Sequence, residues 1–465
     1  MIAACSLFKP ETRKVPEGDL PEKFSIYHKE AGQAARWWED FNSNELNRLI
    51  ETALSENFSI KQAWARLRQA RTLVVQSDSS LYPDLTGTAD VLYGRRKTTN
   101  GSSDTTTVEE YALGLTSSYE LDLWGRVHSK RQAVMLEAAA SKDELHAAAV
   151  TLSAEIVIRW IEIISQRMQK QLLHKQLDSN IIFLDLIELR FRKGMVSALD
   201  VYQQKQVVEN IKAELPLVEA REMLLMHELA SLLGKPSGSS IPVRNADLPI
   251  PVGIPALGLP ADLLKARPDV RAAGLRLESA DWQVAEARAN RLPAVRLSAS
   301  ARYSSNEMEV LFDNWLLNLA ANLTAPVFDG GQRAAEVDRT RAFADEKLWA
   351  YRQTVLTAVK EVEDALISES KQKEHIEALE RVIAAARRAL DEAVERYRKG
   401  LNDYLPVLTQ LLTVQSLERN LIKKRTSMLL FRVSLYRALS GTWTHDLKPD
   451  GLPETSKTEG KINNE

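Results

Sequence analysis

The sequence predicts a mainly α-helical chain that is internally duplicated and carries four β-strands. Neither glycine nor proline occurs in residues 126–193 or in residues 332–399, two stretches of equal length that are rich in strong helix formers. Each stretch ends in a similar phrase, LRFRKG at 189–194 and ERYRKG at 395–400, with the glycines 206 residues apart (400 − 194). The segments before each stretch alternate apolar and polar residues with a period of two, which is typical of strands. One unit of helix, strand, strand, long helix and helix therefore occurs twice.

The first repeat is predicted at 45–234, after residues 1–44, which we interpret as a lipoprotein N-terminus and extended arm. Its first helix has apolar residues three and four positions apart, as in an amphipathic helix. Pro216 is expected to bend the last helix, because its ring removes a backbone donor. The predicted elements are a helix at 45–81, strands at about 84–93 and 109–119, a long helix at 126–193 and a helix at 195–233.

The second repeat is predicted at 259–441 and follows a proline-rich linker at 235–258, which cannot be helix or central strand throughout. A polar C-terminal tail at 442–465 ends the chain. Pro406 is expected to bend or delay the last helix of this repeat. The predicted elements are a helix at 259–292, strands at about 294–303 and 314–324, a long helix at 332–399 and a helix at 401–440.

The phrase that ends each long helix has the composition of a helix C-terminus. Its cations would face the negative end of the helix dipole, and its glycine would take the left-handed conformation that closes a helix. One copy would indicate a good cap and nothing more, whereas two copies that end equal helices indicate duplication. The residues concerned are Arg192, Lys193 and Gly194 in the first repeat and Arg398, Lys399 and Gly400 in the second.

The predicted strands indicate association within a membrane. In VRLSASARY, for example, Val295 and Leu297 alternate with Arg296 and Ser298, so each strand has one apolar and one polar face. Lipid does not tolerate the open edges of a lone four-stranded sheet, whereas three chains supply 3 × 4 = 12 strands, an even number found in membrane barrels. Two shorter helices placed end to end match one long helix, so three chains also supply twelve helical columns. The predicted fold class is therefore mainly α with a membrane β-barrel: a trimer with a 12-stranded β-barrel continued by a 12-column α-helical tube. The alternative is that the strands form an ordinary sandwich edge.

Composition and charge exclude several classes of function. The net charge is −2, and no block of like charges occurs, so no nucleic-acid partner is predicted. No apolar run is long enough for a transmembrane helix. The single cysteine, Cys5, excludes an intrachain disulfide, and IAAC at 2–5 fits a lipoprotein cleavage site. Acylation of Cys5 is therefore one interpretation, and a chance cysteine is the other.

No catalytic or metal-binding motif is present. The seven histidines are dispersed, and none forms the HExxH pattern of a zinc site. The segments LWGR and FDGG are too short to hold a phosphate and do not match a phosphate-binding loop. We predict that the chain is not an enzyme and carries no metal or cofactor.

Three segments resemble the outer-membrane efflux factors of the TolC and OprM type, in their lipoprotein branch. GLPADLLKARPDVRAA at 258–273 resembles the opening of the second repeat, and YELDLWGR at 119–126 and PVFDGGQR at 326–333 resemble strand-to-helix junctions of the family. The resemblance implies a homotrimeric duct through outer-membrane lipid into the periplasm, which binds a periplasmic adaptor and an inner-membrane pump. It also implies acylation at Cys5, and Ser6 is not the aspartate that retains lipoproteins in the inner membrane.

The residues after the two glycines are candidates for a gate. Leu199 and Leu405 each lie five residues after the glycine, so six leucines of a trimer would converge and close the tube by dewetting. Asp200 and Asp403 lie beside them and would add negative charge. The resemblance implies that this tip, with the basic phrases, is the resting gate and the adaptor contact. The family has aspartates further along the second turn, where this chain has Thr409. The alternative is that the leucines pack between helices.

Two classes of function remain open from the sequence. The leading hypothesis is a passive exit duct of a tripartite efflux system for drugs or other small toxic compounds. Within that class, efflux of metal ions and type I secretion of proteins are alternatives. The hypothesis from another class is a helical scaffold that binds partners along its columns and forms no channel.

Overall fold

The computed structural model describes most of both predicted repeats. Helices and strands follow one another as α1 (Asn44–Glu56), α2 (Phe58–Ser79), β1 (Asp84–Thr99), β2 (Ser103–Leu121), α3 (Arg126–Arg192), α4 (Ala198–Leu232), α5 (Pro268–Ala289), β3 (Ala294–Ser305), β4 (Trp315–Thr324), α6 (Gln332–Arg398) and α7 (Tyr404–Leu439). The residues described are Phe8, Phe24, 36–99, 103–250, 260–262, 266–439 and 443–447.

The chain forms two compact units, which we name the sheet unit and the helical unit. The sheet unit comprises the described parts of Met1–Pro16, Ala65–Asp143 and Arg271–Thr354. The helical unit comprises the described parts of Glu17–Trp64, Glu144–Val270 and Val355–Glu465. None of the helices described is long and apolar enough to cross a membrane.

The two long helices form as the absence of glycine and proline predicts. Helices α3 and α6 are each 67 residues long and begin and end within one residue of the predicted positions. Their last turns contain arginines, Arg190 and Arg192 in α3 and Arg396 and Arg398 in α6, beside the negative end of the helix dipole. The local sequence therefore determined both elements.

The prediction of one helix at 45–81 was wrong, because Asn57 separates two helices. The Asn57 side chain accepts hydrogen bonds from the amides of Ser59 at 2.8 Å and Ile60 at 3.2 Å, which caps the start of α2. Its amide nitrogen donates to the carbonyl of Leu232 at 2.8 Å, at the end of α4. An asparagine competes with the helix for backbone groups, and here a distant partner stabilises the break.

The two prolines in the last helices behave differently from each other. Pro216 lies inside α4, which continues on both sides of it. Pro406 lies in the first turn of α7, where the amide that proline lacks has no intrahelical acceptor. Pro406 therefore lies where α7 begins and does not interrupt the helix.

The sheet is antiparallel with the order β1-β2-β3-β4. Pairing starts at Asp84↔Ser118 in the first hairpin, Leu121↔Val295 joins β2 to β3, and Ala294↔Thr324 joins β3 to β4. Strands β1 and β2 are longer than predicted, because their threonine-rich and serine-rich ends also pair, up to Thr99↔Ser103. Apolar and polar residues do not alternate in these strand ends, so the period-two pattern did not predict them as strand.

The register separates an apolar face from a polar face, as the alternation predicts. The apolar face is exposed in the single chain: Leu85 is 71% exposed, Val91 75% and Leu319 79%. The polar face carries cross-strand ion pairs, including Arg302 with Glu110 at 2.8 Å. Such a wide apolar surface on a sheet indicates contact with lipid or with another protein.

The helical unit contains a buried apolar core. Leu46, Ile50, Trp160 and Ile164 are almost fully buried in it. The indole of Trp160 donates to a carboxylate oxygen of Glu45 at 2.9 Å, which satisfies its only polar atom. A separate buried cluster of the same unit, which includes Leu173 and Ile187, lies nearer the end of α3.

Candidate functional site at the ends of the long helices

Helix α3 ends in a turn closed by two backbone hydrogen bonds. The amide of Gly194 donates to the carbonyl of Phe191 at 2.8 Å. The amide of Met195 donates to the carbonyl of Arg190 at 2.9 Å. These two bonds define a Schellman motif, whose glycine has the left-handed conformation, with φ = 70° at Gly194.

Helix α6 ends in the same motif at the equivalent position. The amide of Gly400 donates to the carbonyl of Tyr397 at 3.1 Å, and φ at Gly400 is 71°. The amide of Leu401 donates to the carbonyl of Arg396 at 2.9 Å. The local reason for the repeated phrase is therefore the same cap in both repeats. We name the segments 190–200 and 396–405 the first turn and the second turn.

The first turn continues into α4 through a capping box. The Ser197 hydroxyl accepts from the amide of Asp200 at 3.3 Å, and the Asp200 carboxylate accepts from the amide of Ser197 at 2.9 Å. The Ser197 hydroxyl also donates to the same carboxylate at 2.8 Å. This reciprocal arrangement satisfies orphan amides at the start of α4 and places a negative charge at its positive end.

The second turn continues into α7 through a buried tyrosine. Tyr404 is only 1% exposed, and its hydroxyl donates to the Gln204 side-chain oxygen at 2.7 Å. Gln204 is fully buried, and its amide nitrogen donates to the backbone oxygen of Asn180 at 2.8 Å. The Asn180 side chain donates in turn to the carbonyl of Gln176 at 2.7 Å. Burial raises the pKa of Tyr404, so the phenol stays neutral and keeps its proton for this bond.

Apolar side chains from helices α3, α4, α6 and α7 surround this polar chain. Leu173 and Ile187 of α3, Ile211 of α4 and Val407 of α7 belong to one buried cluster with Tyr404. The guanidinium of Arg190 also lies over the ring of Tyr397, 4.4 Å from its centroid. Each polar group of the chain from Tyr404 to Asn180 has a partner, and such satisfied networks rigidify a core.

The predicted gate residues lie in the two turns, except Thr409, which follows the second turn on α7. Leu199 is 64% exposed and Leu405 is 55% exposed, so neither packs in the core of its own chain. Asp403 and Thr409 are exposed as well, and the Thr409 hydroxyl donates to the carbonyl of Leu405 at 2.9 Å. Asp200 is half-buried, because its carboxylate belongs to the capping box.

The two basic residues that directly precede the glycine of each turn are exposed. Lys399 forms an ion pair with Glu395 at 3.1 Å, one helical turn earlier. Surface pairs of this type contribute little to stability. These cations are Arg192, Lys193, Arg398 and Lys399. Cys5, the predicted acylation site, lies outside the described residues.

Sequence reasoning missed Tyr404, Gln204 and Asn180. An available signal was the position of Asn180 and Gln204 within helices, among apolar residues at helical spacing, where a polar residue needs a partner. In the described part of the chain, no group of His, Cys, Asp and Glu side chains is arranged to hold a metal ion.

Comparison with known proteins places the chain in a family. The family model described as outer membrane efflux protein matches residues 49–235 and 259–441.

The chain belongs to the outer membrane efflux protein family.

Named relatives of this family cover almost the whole chain. The pyoverdine export outer membrane protein OpmQ of Pseudomonas aeruginosa is 31% identical over 425 residues, which span 90% of this chain and 89% of the relative. The toluene efflux pump outer membrane protein TtgF of Pseudomonas putida is 29% identical over 412 residues, 88% of this chain and 85% of the relative.

Solved structures of outer-membrane proteins have the same fold. The outer-membrane channel OprN matches with a TM-score of 0.86 and 27% identity, over 94% of this chain and 99% of that chain. The outer membrane protein VceC of Vibrio cholerae matches with a TM-score of 0.82 and 26% identity, over 89% of this chain and 100% of that chain.

These similarities confirm the predicted fold class and the general function. The fold is the mainly helical, internally duplicated fold of TolC-type channels. As a member of the outer membrane efflux protein family, the chain is a transport protein of the bacterial outer membrane. The family consists of transporters, which agrees with the prediction that the chain is not an enzyme. The scaffold hypothesis was wrong.

Proposed function

We propose that three copies of this chain form a passive exit duct through the outer membrane. The observation that carries this proposal is the sheet, which has an exposed apolar face and two edge strands, β1 and β4. Lipid contact would suit the apolar face, but edge strands have unpaired backbone groups that lipid cannot satisfy. Pairing of β4 of one chain with β1 of the next would satisfy both edges in a closed ring of three chains.

The duct would be passive and would depend on two partners. Family membership supports a periplasmic adaptor and an inner-membrane pump, which would deliver the cargo and supply the energy. The two repeats at 45–234 and 259–441 would each contribute two strands to the ring and helical columns to the tube. Acylation of Cys5 would add a lipid anchor, which supports membrane attachment beside the larger apolar surface of the strands.

Small organic compounds are the proposed cargo. The names of the relatives support this class, since OpmQ is named for pyoverdine export and TtgF for toluene efflux. Drugs and other small toxic compounds belong to the same size range. Efflux of metal ions and secretion of proteins remain alternative cargoes, and no observation of this chain favours either.

The two turns are proposed as the periplasmic gate and adaptor contact. Exposure of Leu199 and Leu405 supports this role, because side chains that packed within the core of one chain would be buried. Three copies would bring six leucines together, and a ring of apolar groups closes a pore by excluding water. The exposed cations Arg192, Lys193, Arg398 and Lys399 border this surface and would meet the adaptor.

A bilayer experiment tests the duct and its gate together. Purified protein would be examined for trimers in detergent and then for conductance in planar bilayers. We expect the double variant Leu199→Ala, Leu405→Ala to remain trimeric and to conduct several times better than the unchanged protein. The matched control is Leu356→Ala. Leu356 is similarly exposed, at 57%, and lies on α6 away from the two turns. Monodisperse monomers would overturn the duct, and unchanged conductance in the trimeric double variant would remove the leucines from the gate.

A separate experiment tests the anchor. Cells would express the unchanged chain and a Cys5→Ser variant behind a lipoprotein signal and receive a labelled fatty acid. We expect label in the unchanged protein alone and outer-membrane recovery of both, because twelve strands bury more apolar surface than acyl chains do. Absence of label from the unchanged protein would end the lipoprotein proposal without affecting the duct.

A further inference from the structure

The first hairpin of the sheet extends beyond the second. Strand β2 pairs with β3 only up to Tyr111↔Ser305, and β3 pairs with β4 only up to Tyr303↔Trp315. Strands β1 and β2 nevertheless stay paired as far as Thr99↔Ser103. Because Tyr111 pairs with Val91, about half of β1 lies past the end of the β2–β3 ladder, at the end of the sheet opposite to the junctions with the helices.

The face of β1 that begins apolar ends in cations. Residues that alternate along this face are Leu85, Gly87, Ala89, Val91, Tyr93, Arg95 and Lys97. Tyr93 is 70% exposed, and Arg95 and Lys97 are exposed as well. The change from apolar to aromatic to cationic occurs within three successive positions of one face, over about 13 Å at the usual rise of a strand.

This order matches the layers of a bilayer surface. Aromatic girdles of membrane strands lie at the boundary between hydrocarbon and headgroups, and the polar headgroup layer begins directly beyond it. Trp315, which is 70% exposed, pairs with Tyr303 on the same face, and the register places this pair level with Ala89, so Arg95 and Lys97 lie further toward the outer end than these aromatic residues. Arg95 and Lys97 would therefore reach headgroup depth.

The two cations are available to an external anion. Across the ladder, Arg95 lies opposite Thr107 and Lys97 lies opposite Thr105, so neither faces an acidic residue. Glu109 lies diagonal to Arg95, yet neither cation has an ion-pair partner among the described residues. The contrast with Arg302 on the polar face is clear, because that cation pairs with Glu110 at 2.8 Å.

We propose that Arg95 and Lys97 form a binding site for phosphate groups of lipids in the outer leaflet. This inference rests on the proposed function, which places the apolar face in lipid and the first hairpin on the outer side. Arginine binds phosphate oxygens in a bidentate manner, and lysine adds a point charge two positions further along the strand. Three chains would provide three such sites around the ring, each at the edge of the membrane.

Native mass spectrometry of the full chain in an uncharged detergent tests the site. The probe is bisphosphorylated lipid A, and the comparison probes are the same lipid without phosphate, phosphatidylglycerol and inorganic phosphate. The variant is Arg95→Gln, Lys97→Gln. Its matched control is Lys373→Gln, Arg381→Gln, which removes the same charge from two exposed cations of α6.

We expect the unchanged protein and the control to bind bisphosphorylated lipid A, and the variant to bind it roughly tenfold more weakly, since each cation near an anionic surface contributes a several-fold factor. Added salt should weaken this binding, and the lipid without phosphate should bind equally to all three proteins. Competition by inorganic phosphate at millimolar concentration would overturn the lipid as ligand and indicate a free-anion site. Equal binding by the variant and the unchanged protein would overturn the site.

Two further measurements distinguish a lipid site from a contact between copies of the chain and from failure of the duct itself. Reduced trimer stability of the variant with unchanged lipid binding would assign the cations to contacts between copies, for example with Glu307 or Glu309 in the loop between β3 and β4, and would overturn the proposal. Conductance in planar bilayers is the second measurement. If the variant conducts normally but the unchanged protein shows no phosphate-dependent lipid binding, only the lipid site is contradicted. If the unchanged protein forms no channel, the duct is contradicted.

Discussion

The two turns share one cap but use different side chains to start the next helix. Gly194 and Gly400 have almost the same φ, 70° and 71°, and each closes a Schellman motif. After the glycine, the first turn relies on the exposed Ser197 with Asp200, whereas the second turn places Tyr404 in the core. At the offset of 206 residues, the position equivalent to Tyr404 is Ala198.

This difference shows which part of the duplicated unit is constrained by backbone geometry. The cap requires a left-handed residue, and glycine supplies it in both copies. The start of the following helix requires only that orphan amides find acceptors and that the turn be held to the core, and two different solutions satisfy this. The second turn is therefore fastened to α3 and α4 through Gln204 and Asn180, whereas the capping box of the first turn is local.

The largest effect on stability is expected when the buried ring of Tyr404 and its hydrogen bond to Gln204 are removed from the second turn. Tyr404→Ala would delete a buried ring and leave the Gln204 oxygen without its donor, which should cost about 3–5 kcal/mol. Tyr404→Phe keeps the ring and should cost about 1–2 kcal/mol. Thermal unfolding followed by circular dichroism measures both, with Ala198→Gly as the substitution at the equivalent position of the first turn.

The protonation of Tyr404 gives this prediction a pH test. Burial raises its pKa, so the phenol would remain protonated through the neutral range, and stability from this bond would be lost only as the pH rises through the raised value. We therefore expect the difference between the unchanged protein and Tyr404→Phe to be constant from about pH 6 to pH 9. A difference that changed steadily across this range would contradict the role assigned to the phenol.

The glycines should be equivalent, in contrast to the residues that follow them. An added Cβ meets no atom within 4 Å at Gly194 or Gly400, so alanine there would cost only the strain of the left-handed backbone, about 1–2 kcal/mol. Gly234, which ends α4, is the control with an added clash, since its Cβ would lie 2.6 Å from the carbonyl oxygen of Glu56. Stability curves should rank Gly234→Ala below the other two, and unequal losses at Gly194 and Gly400 would show that the turns differ in their caps.

The sequence predicted the elements that depend on local chemistry and missed those that depend on distant partners. The ends of α3 and α6 followed from the distribution of glycine, and the faces of the sheet followed from alternation along single strands. Asn57 looked like an ordinary helical residue, because its partner at Leu232 lies 175 positions away. The Tyr404–Gln204 bond joins residues 200 positions apart, and no local pattern indicates such a pair.

A smaller effect is expected from the capping box. Ser197→Ala removes the hydroxyl that accepts from the amide of Asp200 and should cost about 1 kcal/mol. Ser197→Thr preserves the hydroxyl and should recover most of this loss, which separates the cap from a general effect of substitution. Thermal unfolding is again the measurement, and an equal loss in both variants would remove the hydroxyl from the account of the turn.

The smallest effect concerns the charge of the two turns, and it distinguishes the two aspartates by their exposure. Asp200 is half-buried within the capping box, and Asp403 is exposed, so dissolved ions should screen Asp403 more completely. Asparagine removes the charge at either position and keeps an oxygen that accepts hydrogen bonds.

If the turns line the entrance of the duct, both Asp200→Asn and Asp403→Asn should lower cation selectivity at about 0.1 M salt. At about 1 M salt only Asp200→Asn should still lower it, because the screening length falls from about 10 Å to about 3 Å. Reversal potentials in planar bilayers under salt gradients measure this, with Asp364→Asn, an exposed aspartate of α6 paired with Lys360, as the control. Equal loss of selectivity in all three variants would assign the selectivity to the overall charge of the chain, and the turns would then differ in structure without differing in their effect on ions.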